Sequence, residues 1–422
     1  MKKIASFIIG GSLAAGAIAQ AVDPTMIVTM KNGKTFEYNL PEIEHVTFKT
    51  DGTVTPVDPD QKYETTVTEA WTKTGDQLGL QFPASARDIC VAGDYLLVLD
   101  NTIAYDATAK IKAYNKYTGE FVKDVAIYEG GWNGPRSYTW TLSADEAGNF
   151  AMGRLNSGGA GFWMDAYTDI DAMPVNPFKL AAAQVPENSG KRMQLLGNIF
   201  SGKGLVCTTS SHFYGITPMQ GQYCIWDMND GVAATVEPAI GTFPAQWHHA
   251  IVQRRSLDDE TLFVTYTDES TYPNDPFDTW DNLHGAHFAV YTPGAAAPSL
   301  QMDTRCFRYR ILDANVFFVK NARYYFTLQM GYSTGTSPMC TALYDITGDG
   351  AFSTNPSAPD YKDYKIFESA DYVSANDNRI GSVAVWVDEA NATAYLYAFY
   401  PGATGDKAKM TCHKMVLGNP ID

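Results

Sequence analysis

Histidines and aspartates cluster in one stretch of the sequence and could together hold a metal ion. Four of the seven histidines lie in it, as the pair His248–His249 and in the spacing His284-x-x-His287. Neutral imidazoles beside carboxylates suit zinc, and carboxylate oxygens suit calcium. Neighbouring strand residues point to opposite faces, so His248 and His249 cannot both bind one ion on a straight strand. The candidate ligands are His248, His284, Asp278 and Asp281. The alternative is that these histidines are structural.

A second group of candidates consists of aromatic residues in long polar loops. Amphipathic rings with Asn, Asp and Ser nearby suit a sugar, because its apolar face stacks on a ring while its hydroxyls find polar partners. The alternative is that the rings only pack the loops against one another. The candidate ligand-binding residues are Trp132, Tyr214, Trp247, Trp280, Tyr332 and Tyr372.

Two further patterns approach catalytic motifs without meeting them. Residues 331–335 spell G-x-S-x-G, but no helix pattern follows them, as a nucleophile elbow requires. The stretch SADEAGNF (143–150) approaches the Asp-box of sialidases, with its glycine one place late and in a single copy. The arginines that a sialidase would need occur at 254, 255, 305, 308 and 310, where they suit solvated strand faces equally well. We therefore assign no catalytic residue.

The elements that must position these candidates are strands, because period-2 alternation recurs and helical periodicity is almost absent after residue 21. One unit repeats: apolar strand, tight polar turn, apolar strand, long loop, aromatic-ended strand and a weaker fourth strand. A pair of β-sandwiches would also give many short strands, but it does not predict this repeated order. Six such units predict an all-β, six-bladed β-propeller. The turns of the six units are Gly93–Asp94, Gly148–Asn149, Gly202–Gly204, Asp258–Asp259, Asn321 and Asn391.

The last unit of the repeat region lacks a strand, and the segment before the first unit can supply it. The sixth unit has three strands before Asp422, and the segment TTVTEAWTKTG (65–75) is a lone strand before the first unit. We predict that residues 65–75 supply the missing outer strand and close the ring, which protects the sheet edges.

The N-terminal residues predict an exported protein. Lys2 and Lys3, an apolar stretch and the A-x-A site Ala19–Gln20–Ala21 indicate a cleaved signal peptide, with no lipid-bearing cysteine behind it. We expect a periplasmic or extracellular protein with no membrane span. The predicted organisation is a signal peptide at 1–21, a short β-hairpin leader at 22–50, a linker at 51–62 and the propeller at 63–422.

The leader also carries a resemblance. The hairpin MIVTMKNGKTFEYNL is followed by an I-x-x-V-x-F strand with Ile43, Val46 and Phe48. This module resembles the leader of many exported proteins from the Bacteroides group. With six repeat units behind it, the chain resembles the uncharacterised secreted propellers of that group, a domain-of-unknown-function type. The resemblance implies the fold and export, and it transfers no functional residue.

Charge and cysteine content restrict the partners. The formal net charge of −16 argues against nucleic acid and anionic membranes as partners. The six cysteines are too sparse for a disulfide scaffold or a zinc knuckle. Cys207 and Cys224 fall on neighbouring strands of one unit, and they could form a disulfide if the register places them opposite each other.

Two functions remain from the sequence. The favoured one is an exported, monomeric, non-catalytic binding propeller that recognises a glycan or a protein partner through its aromatic loop face, without a cofactor. The alternative is a carbohydrate-active enzyme, a glycoside hydrolase or sialidase-like protein, with a carboxylate pair on the same face.

Overall fold

The structure of the protein, a computed structural model, divides into two units, Met1–Val57 and Asp58–Asp422. In the first unit it describes two strands, and in the second most of the chain. The described residues are 25–29, 35–39, 60–84, 88–101, 110–127, 139–154, 162–175, 185, 189–210, 222–235, 237–242, 247–268, 286–295, 297–302, 306–331, 337–348, 364–374 and 381–421.

The first unit contains the predicted hairpin. Strands β1 (Thr25–Thr29) and β2 (Thr35–Asn39) pair antiparallel, with Thr29 opposite Thr35. The predicted turn at Asn32–Gly33 and the strand of Ile43, Val46 and Phe48 lie outside the described residues.

The second unit begins with the long strand β3 (Lys62–Thr74) and continues into three sheets, here called blades 1, 2 and 3. In the described residues blade 2 has three strands, and Ala166 pairs with Val175 in an isolated bridge beside them. Blade 1 contains β4 (Asp88–Ala92), β5 (Tyr95–Asp100), β6 (Lys110–Asn115) and β7 (Phe121–Val125). Blade 2 contains β8 (Thr139–Ala144), β9 (Phe150–Arg154) and β10 (Met164–Tyr167). Blade 3 contains β11 (Ser189–Gly197), β12 (Lys203–Ser210), β13 (Gln222–Asn229), β14 (Val232–Ala233) and β15 (Ala239–Thr242).

Three more antiparallel sheets follow as blades 4, 5 and 6. Blade 4 contains β16 (Trp247–Arg254), β17 (Leu262–Asp268), β18 (Ala286–Tyr291) and β19 (Leu300–Gln301). Blade 5 contains β20 (Arg310–Val319), β21 (Ala322–Met330), β22 (Ser337–Asp345), β23 (Lys365–Glu368) and β24 (Tyr372–Ser374). Blade 6 contains β25 (Ser382–Asp388), β26 (Thr393–Tyr400) and β27 (Lys409–Ile421). The second unit is a six-bladed β-propeller, as the repeat predicts.

The N-terminal strand closes the ring as predicted. Strand β3 pairs antiparallel with β27, from Thr74 opposite Lys409 to Lys62 opposite Ile421. Blade 6 therefore combines the first long strand of this unit with the last three. This pairing covers the edge that β27 would otherwise expose.

The predicted turns fall between the first two strands of each blade, except that in blade 3 the turn is 198–202 and residues 203 and 204 of the predicted turn belong to β12. In blade 5 the turn consists of Lys320 and Asn321 alone, both with positive φ (49° and 69°). Two consecutive positive φ values define the tight hairpin turn that matches strand twist, and Asn tolerates this conformation better than most residues. In blade 6 a 3₁₀ turn (Glu389–Asn391) replaces the tight turn, and the Asp388 side chain caps it.

The core is divided between the blades. In the described residues, one cluster of buried apolar side chains lies in each of the six seams between neighbouring sheets. The apolar runs of the inner strands make this possible, because both faces of each blade pack against another blade. The sequence pattern of short, nearly continuous apolar strands follows from this two-sided burial.

The predicted disulfide between Cys207 and Cys224 does not form in this structure. Cys207 pairs with Ile225, and Cys224 pairs with Thr208. This offset of one residue sends the two side chains to opposite faces of blade 3. Cys207 packs in the seam with blade 4, and Cys224 packs in the seam with blade 2. Both thiols are buried, and neither forms a disulfide.

A ring of polar contacts joins the innermost strands around the axis. A side-chain oxygen on the first strand of each blade accepts a backbone N–H from the first strand of the next blade. Edge-strand N–H groups without a ladder partner are satisfied in this way. The six pairs are Asp88 with Leu142, Ser143 with Leu195, Gln194 with Arg254, Gln253 with Val316, Asp313 with Val383, and Ser382 with Ile89.

Candidate functional site

The inner strands of all six blades surround a cavity of about 620 Å³ on the propeller axis. Polar residues at the beginning of these strands line one end, among them Asp88, Arg192 and Asp313. At the other end, called the mouth here, the lining includes Gly93, Arg255 and Trp386, where the same strands finish. The cavity is therefore an axial channel whose two ends differ in chemistry.

Arg192 crosses the channel at its polar end. Its Nε donates to Asp313 Oδ1 at 3.1 Å, and its Nη1 lies 3.8 Å from Asp88 Oδ2. Its Nη2 donates to the Gly381 and Leu312 carbonyl oxygens at 3.1 and 3.4 Å. These partners belong to blades 1, 5 and 6, which lie across the ring from blade 3. One side chain thus ties four blades together.

Ser382 links the two carboxyl groups of this cluster. Its Oγ lies 2.7 Å from Asp313 Oδ2 and 2.5 Å from Asp88 Oδ1. A hydroxyl donates only one hydrogen, so Ser382 donates to one of the two carboxyl groups at a time. Burial raises the pKa of Asp313; the Arg192 charge opposes the shift, and the Asp88 charge adds to it.

Paired carboxyl groups are the catalytic groups of glycoside hydrolases, but this pair is engaged in holding blades together. Asp88 Oδ2 accepts from Thr141 Oγ1 at 3.0 Å and from the Leu142 N–H at 2.9 Å. Asp313 Oδ2 accepts from the Val383 N–H at 2.8 Å. All four carboxyl oxygens have protein donors, and both side chains are buried. The arrangement favours a structural role.

A different group of residues lies beside the mouth, the mouth aromatics Tyr117, Trp386 and Tyr395, in which Trp386 lines the cavity and the other two rings contact it. Tyr117 meets Trp386 edge-on, with ring centroids 5.6 Å apart, and it meets Tyr395 at 5.4 Å. Trp386 and Tyr395 contact each other at 5.5 Å. Trp386 lines the channel, and Tyr117 is 44% exposed.

A buried ammonium group holds this cluster in place. Lys116 Nζ lies 3.7 Å from the centre of the Trp386 ring and 5.2 Å from that of Tyr117. It also donates to the Gly93 carbonyl oxygen at 2.7 Å and to Asp94 Oδ1 at 3.2 Å. Such a desolvated cation–π contact stabilises the ring orientation and joins blade 1 to blade 6.

Most of the candidates from the sequence lie outside the described residues. Trp247 and His248 lie in β16, where only their backbone is described. The candidates outside the described residues are Trp132, Tyr214, Trp280, Tyr332, Asp278, Asp281 and His284. The metal site thus stays a prediction. Within the described residues, no group of three or more His, Cys, Asp or Glu side chains could hold a metal ion.

Tyr372 is the loop aromatic that the structure describes in full. Its hydroxyl donates to the Lys407 carbonyl oxygen, and its ring packs edge-on against Tyr400 at 5.6 Å. Lys409 Nζ lies 5.2 Å from the ring centre. The side chain is half-buried against the seam between blades 5 and 6, so packing accounts for it.

The arginines and the remaining histidine of the cluster also have protein partners. Arg308 forms ion pairs with Glu368 and Asp371, at 3.4 and 2.7 Å. Arg254 and Arg255 lie on blade 4, paired with Glu260 and Asp259 respectively. His287 stacks on Tyr266 in the same blade, at 4.6 Å. The described arginines do not converge on one site.

The sequence patterns predicted neither the mouth aromatics nor the group at the polar end of the channel, here called the axial cluster (Asp88, Arg192, Asp313 and Ser382). A signal for the axial cluster exists in retrospect. Each inner strand has a polar side chain inside an apolar run, as Asp88 before ICVA, Arg192 before MQLL and Asp313 inside ILDANV. A polar residue repeated at one strand of every unit indicates a shared axial position, because the repeat places these strands around one centre.

Fold and channel together define the class: a six-bladed β-propeller with an axial cavity. Its likeness to solved structures is distant. A putative oxidoreductase (glucose dehydrogenase) from Thermus thermophilus is 11% identical with a TM-score of 0.40, over 84% of this chain and all of that one. A subtype N10 neuraminidase-like protein of influenza A from a little yellow-shouldered bat in Guatemala is 8% identical with a TM-score of 0.41, over 81% and 96%.

A third solved structure is similarly distant. The GH43_1 enzyme from Xanthomonas citri, complexed with xylose, is 12% identical with a TM-score of 0.34, over 67% of this chain and 90% of that one. No protein-family model and no curated protein matches the chain. Among the described residues, no helix is long and apolar enough to cross a membrane.

Proposed function

We propose that this chain is an exported, non-catalytic binding propeller whose ligand is a glycan. The main support for the proposal is the open axial channel. Its two buried acidic side chains, Asp88 and Asp313, hold neighbouring blades together. A channel of about 620 Å³ has the size of a small-molecule site. Peptide groups, amides and aromatic rings around it suit a ligand with many hydroxyl groups and an apolar face.

The aromatic loop residues belong to the same proposal. Trp132, Trp247 and Trp280 are large, and the sequence flanks them with Gly, Pro or Asp. Stacking on such rings contributes much of the affinity for a sugar, because hydroxyl hydrogen bonds largely exchange with water whereas buried ring area does not. A protein partner that uses the same rings is the alternative ligand.

Export rests on the first residues of the chain. Cleavage after Ala21 would leave a mature chain that begins near Val22 and carries no lipid. N-terminal sequencing of the secreted protein checks this, and material that still begins with Met1 would contradict it.

The test of the function separates binding from turnover. The purified chain is titrated with each member of a library of neutral and acidic oligosaccharides, and calorimetry measures the binding. Mass spectrometry then shows whether each sugar is recovered intact. We expect at least one glycan to bind and to be recovered intact. Shortened sugars would instead favour the glycoside hydrolase, provided that Asp313→Asn abolishes the cleavage. If no member of the library binds, the proposal is wrong.

A further inference from the structure

We infer that the mouth aromatics form a binding site for the neutral pyranose end of a glycan, at the end of the channel where the inner strands finish. The inference rests on the proposed function and specifies its site. It places a ligand on Tyr117, Trp386 and Tyr395, which none of the sequence patterns indicated. Three observations support it: the exposure of the rings, their fixed orientation and the charge around them.

The first observation is that a large aromatic surface stays open where packing could have buried it. Tyr117 lies in the turn between β6 and β7, and it is 44% exposed although two rings contact it. Trp386 is half-buried and lines the channel. Rings that are partly exposed beside a cavity can stack on the apolar face of a pyranose.

The second observation is that the site is preorganised. Lys116 is buried, and its Nζ covers the Trp386 ring from outside the channel lining at 3.7 Å. The Asn115 carboxamide oxygen accepts the Tyr117 and Thr118 N–H groups, at 2.9 and 3.2 Å, which fixes the turn that carries Tyr117. A ring that is already fixed loses little entropy when a ligand stacks on it.

The third observation is the charge around the rings. The Asp94 side chain is 84% exposed, and its Oδ1 lies 3.2 Å from Lys116 Nζ, which lies 5.2 Å from the centre of the Tyr117 ring. The charges of Asp94 and Asp388 add to the effects of burial and of Tyr395 in raising the pKa of Tyr117. Carboxylates accept hydrogen bonds from sugar hydroxyls, and they repel the carboxylates of acidic sugars. Lys116 is buried and Asp94 is exposed, so a ligand on these rings meets the Asp94 carboxylate, which favours a neutral sugar over a uronic or sialic acid.

The experiment compares variants at the mouth with a matched exposed ring elsewhere. Tyr117→Ala removes the exposed ring, and Trp386→Phe keeps an aromatic ring over Lys116 while shortening the stacking surface. Phe121→Ala is the control, because Phe121 lies on the outer strand of the same blade and is 52% exposed. The probes are the neutral oligosaccharides that bind the unchanged protein and uronic-acid oligomers of the same length.

We expect Tyr117→Ala to weaken neutral binding about tenfold or more, the loss typical of a hot-spot ring. Trp386→Phe should abolish the change in tryptophan fluorescence that the ligand causes, and Phe121→Ala should leave both readings unchanged. The uronic-acid oligomers should bind more weakly than the neutral ones at low salt.

The failures of the two proposals are distinguishable. If no oligosaccharide binds the unchanged protein, the proposed function is wrong and this inference falls with it. If sugars bind but Tyr117→Ala and Trp386→Phe bind them as well as Phe121→Ala does, only the site at the mouth is wrong. A loss confined to Trp132→Ala would then place the ligand on the loop face. Tighter binding of the acidic oligomers would also overturn the inference.

Discussion

At one end of the axial channel, Arg192, Asp88, Asp313 and Ser382 face one another across the ring, while at the mouth Tyr117, Trp386 and Tyr395 meet solvent. The same strands build both ends. At the polar end the charges are buried and each has partners in other blades, as burial of charge requires. At the mouth one cation is buried beneath rings that remain partly exposed. The difference indicates that the first end maintains the ring and the second is available to a ligand.

Removing strand β3, which closes the ring, should disrupt both ends of the axial channel. Blade 6 carries Ser382 at the polar end and Trp386 at the mouth, and it depends on β3 as its outer strand. A chain that begins at Gln81 exposes the edge of β27, so we expect it to unfold or to oligomerise. Circular dichroism melting and sedimentation measure this. A monomer that kept the full melting temperature would contradict the closure.

Substitution of Arg192 should destabilise the polar end alone. Arg192→Leu leaves Asp88 and Asp313 buried without their counter-charge, and loss of one partner from a buried ion pair typically costs about 3–5 kcal/mol. Urea unfolding checks this, with Lys123→Leu as control, because Lys123 pairs with Asp171 at the surface. We expect the control to lose less than about 1 kcal/mol. Equal losses in the two variants would argue against the axial role of Arg192.

The polar end should also make stability depend on pH. Burial raises the pKa of Asp313 above its ordinary value of 3.8. The folded state therefore holds a proton that the unfolded chain releases, and this contribution to stability is complete below pH 3.8 and declines as the pH rises towards the raised value. Asp313→Asn removes this titration.

Urea unfolding of the unchanged protein and of Asp313→Asn, repeated from about pH 3.5 to 6.5, measures the effect. Asp100, Asp145 and Glu146 also have raised pKa values, chiefly from burial, and they are present in both proteins. The difference between the two curves therefore reports the titration of Asp313. We expect the free energy of unfolding to decline less steeply with pH in the variant. Parallel curves would show that no extra proton is held there.

The smallest change in stability is expected at the mouth. Tyr117→Ala removes a partly exposed ring whose contacts with blade 6 are edge-on to Trp386 and Tyr395, so it should cost about 1 kcal/mol. Thermal melting beside Arg192→Leu compares the two ends directly. A loss as large as that of Arg192→Leu would mean that the mouth aromatics also maintain the ring.

The sequence predicted those parts of the fold that depend on short stretches of chain. The hairpin turns at Gly93–Asp94 and Lys320–Asn321 are local, so Gly, Asp and Asn reveal them. The closure by β3 was also predictable, because a strand without a partner and a blade without an outer strand complement each other. The Cys207–Cys224 pair was not, since a register offset of one residue is invisible in the sequence and reverses the face of a side chain.

The candidate site was less accessible from the sequence than the fold. Asp88 and Ser382 meet only when the ring is complete, and no local pattern indicates which polar residues of six strands share an axis. Tyr117 and Trp386 lie in blades 1 and 6, on either side of the seam that closes the ring. Sequence patterns drew attention to the long loops instead, where large aromatic residues are numerous.

The ring of six contacts between inner strands has a consequence for the synthesis of the chain. Each blade supplies one acceptor to the next and receives one in turn, so an incomplete ring always lacks one contact between neighbouring inner strands. The Ile89 N–H donates to Asp88 Oδ1 at 3.0 Å in its own blade and to Ser382 Oγ at 3.3 Å, and Ser382 lies 293 residues later in the chain. During synthesis the first blades can therefore form hairpins, but blade 1 gains its last neighbour only when blade 6 emerges. Cooperative folding should be late and slow, because this most distant contact completes the circle.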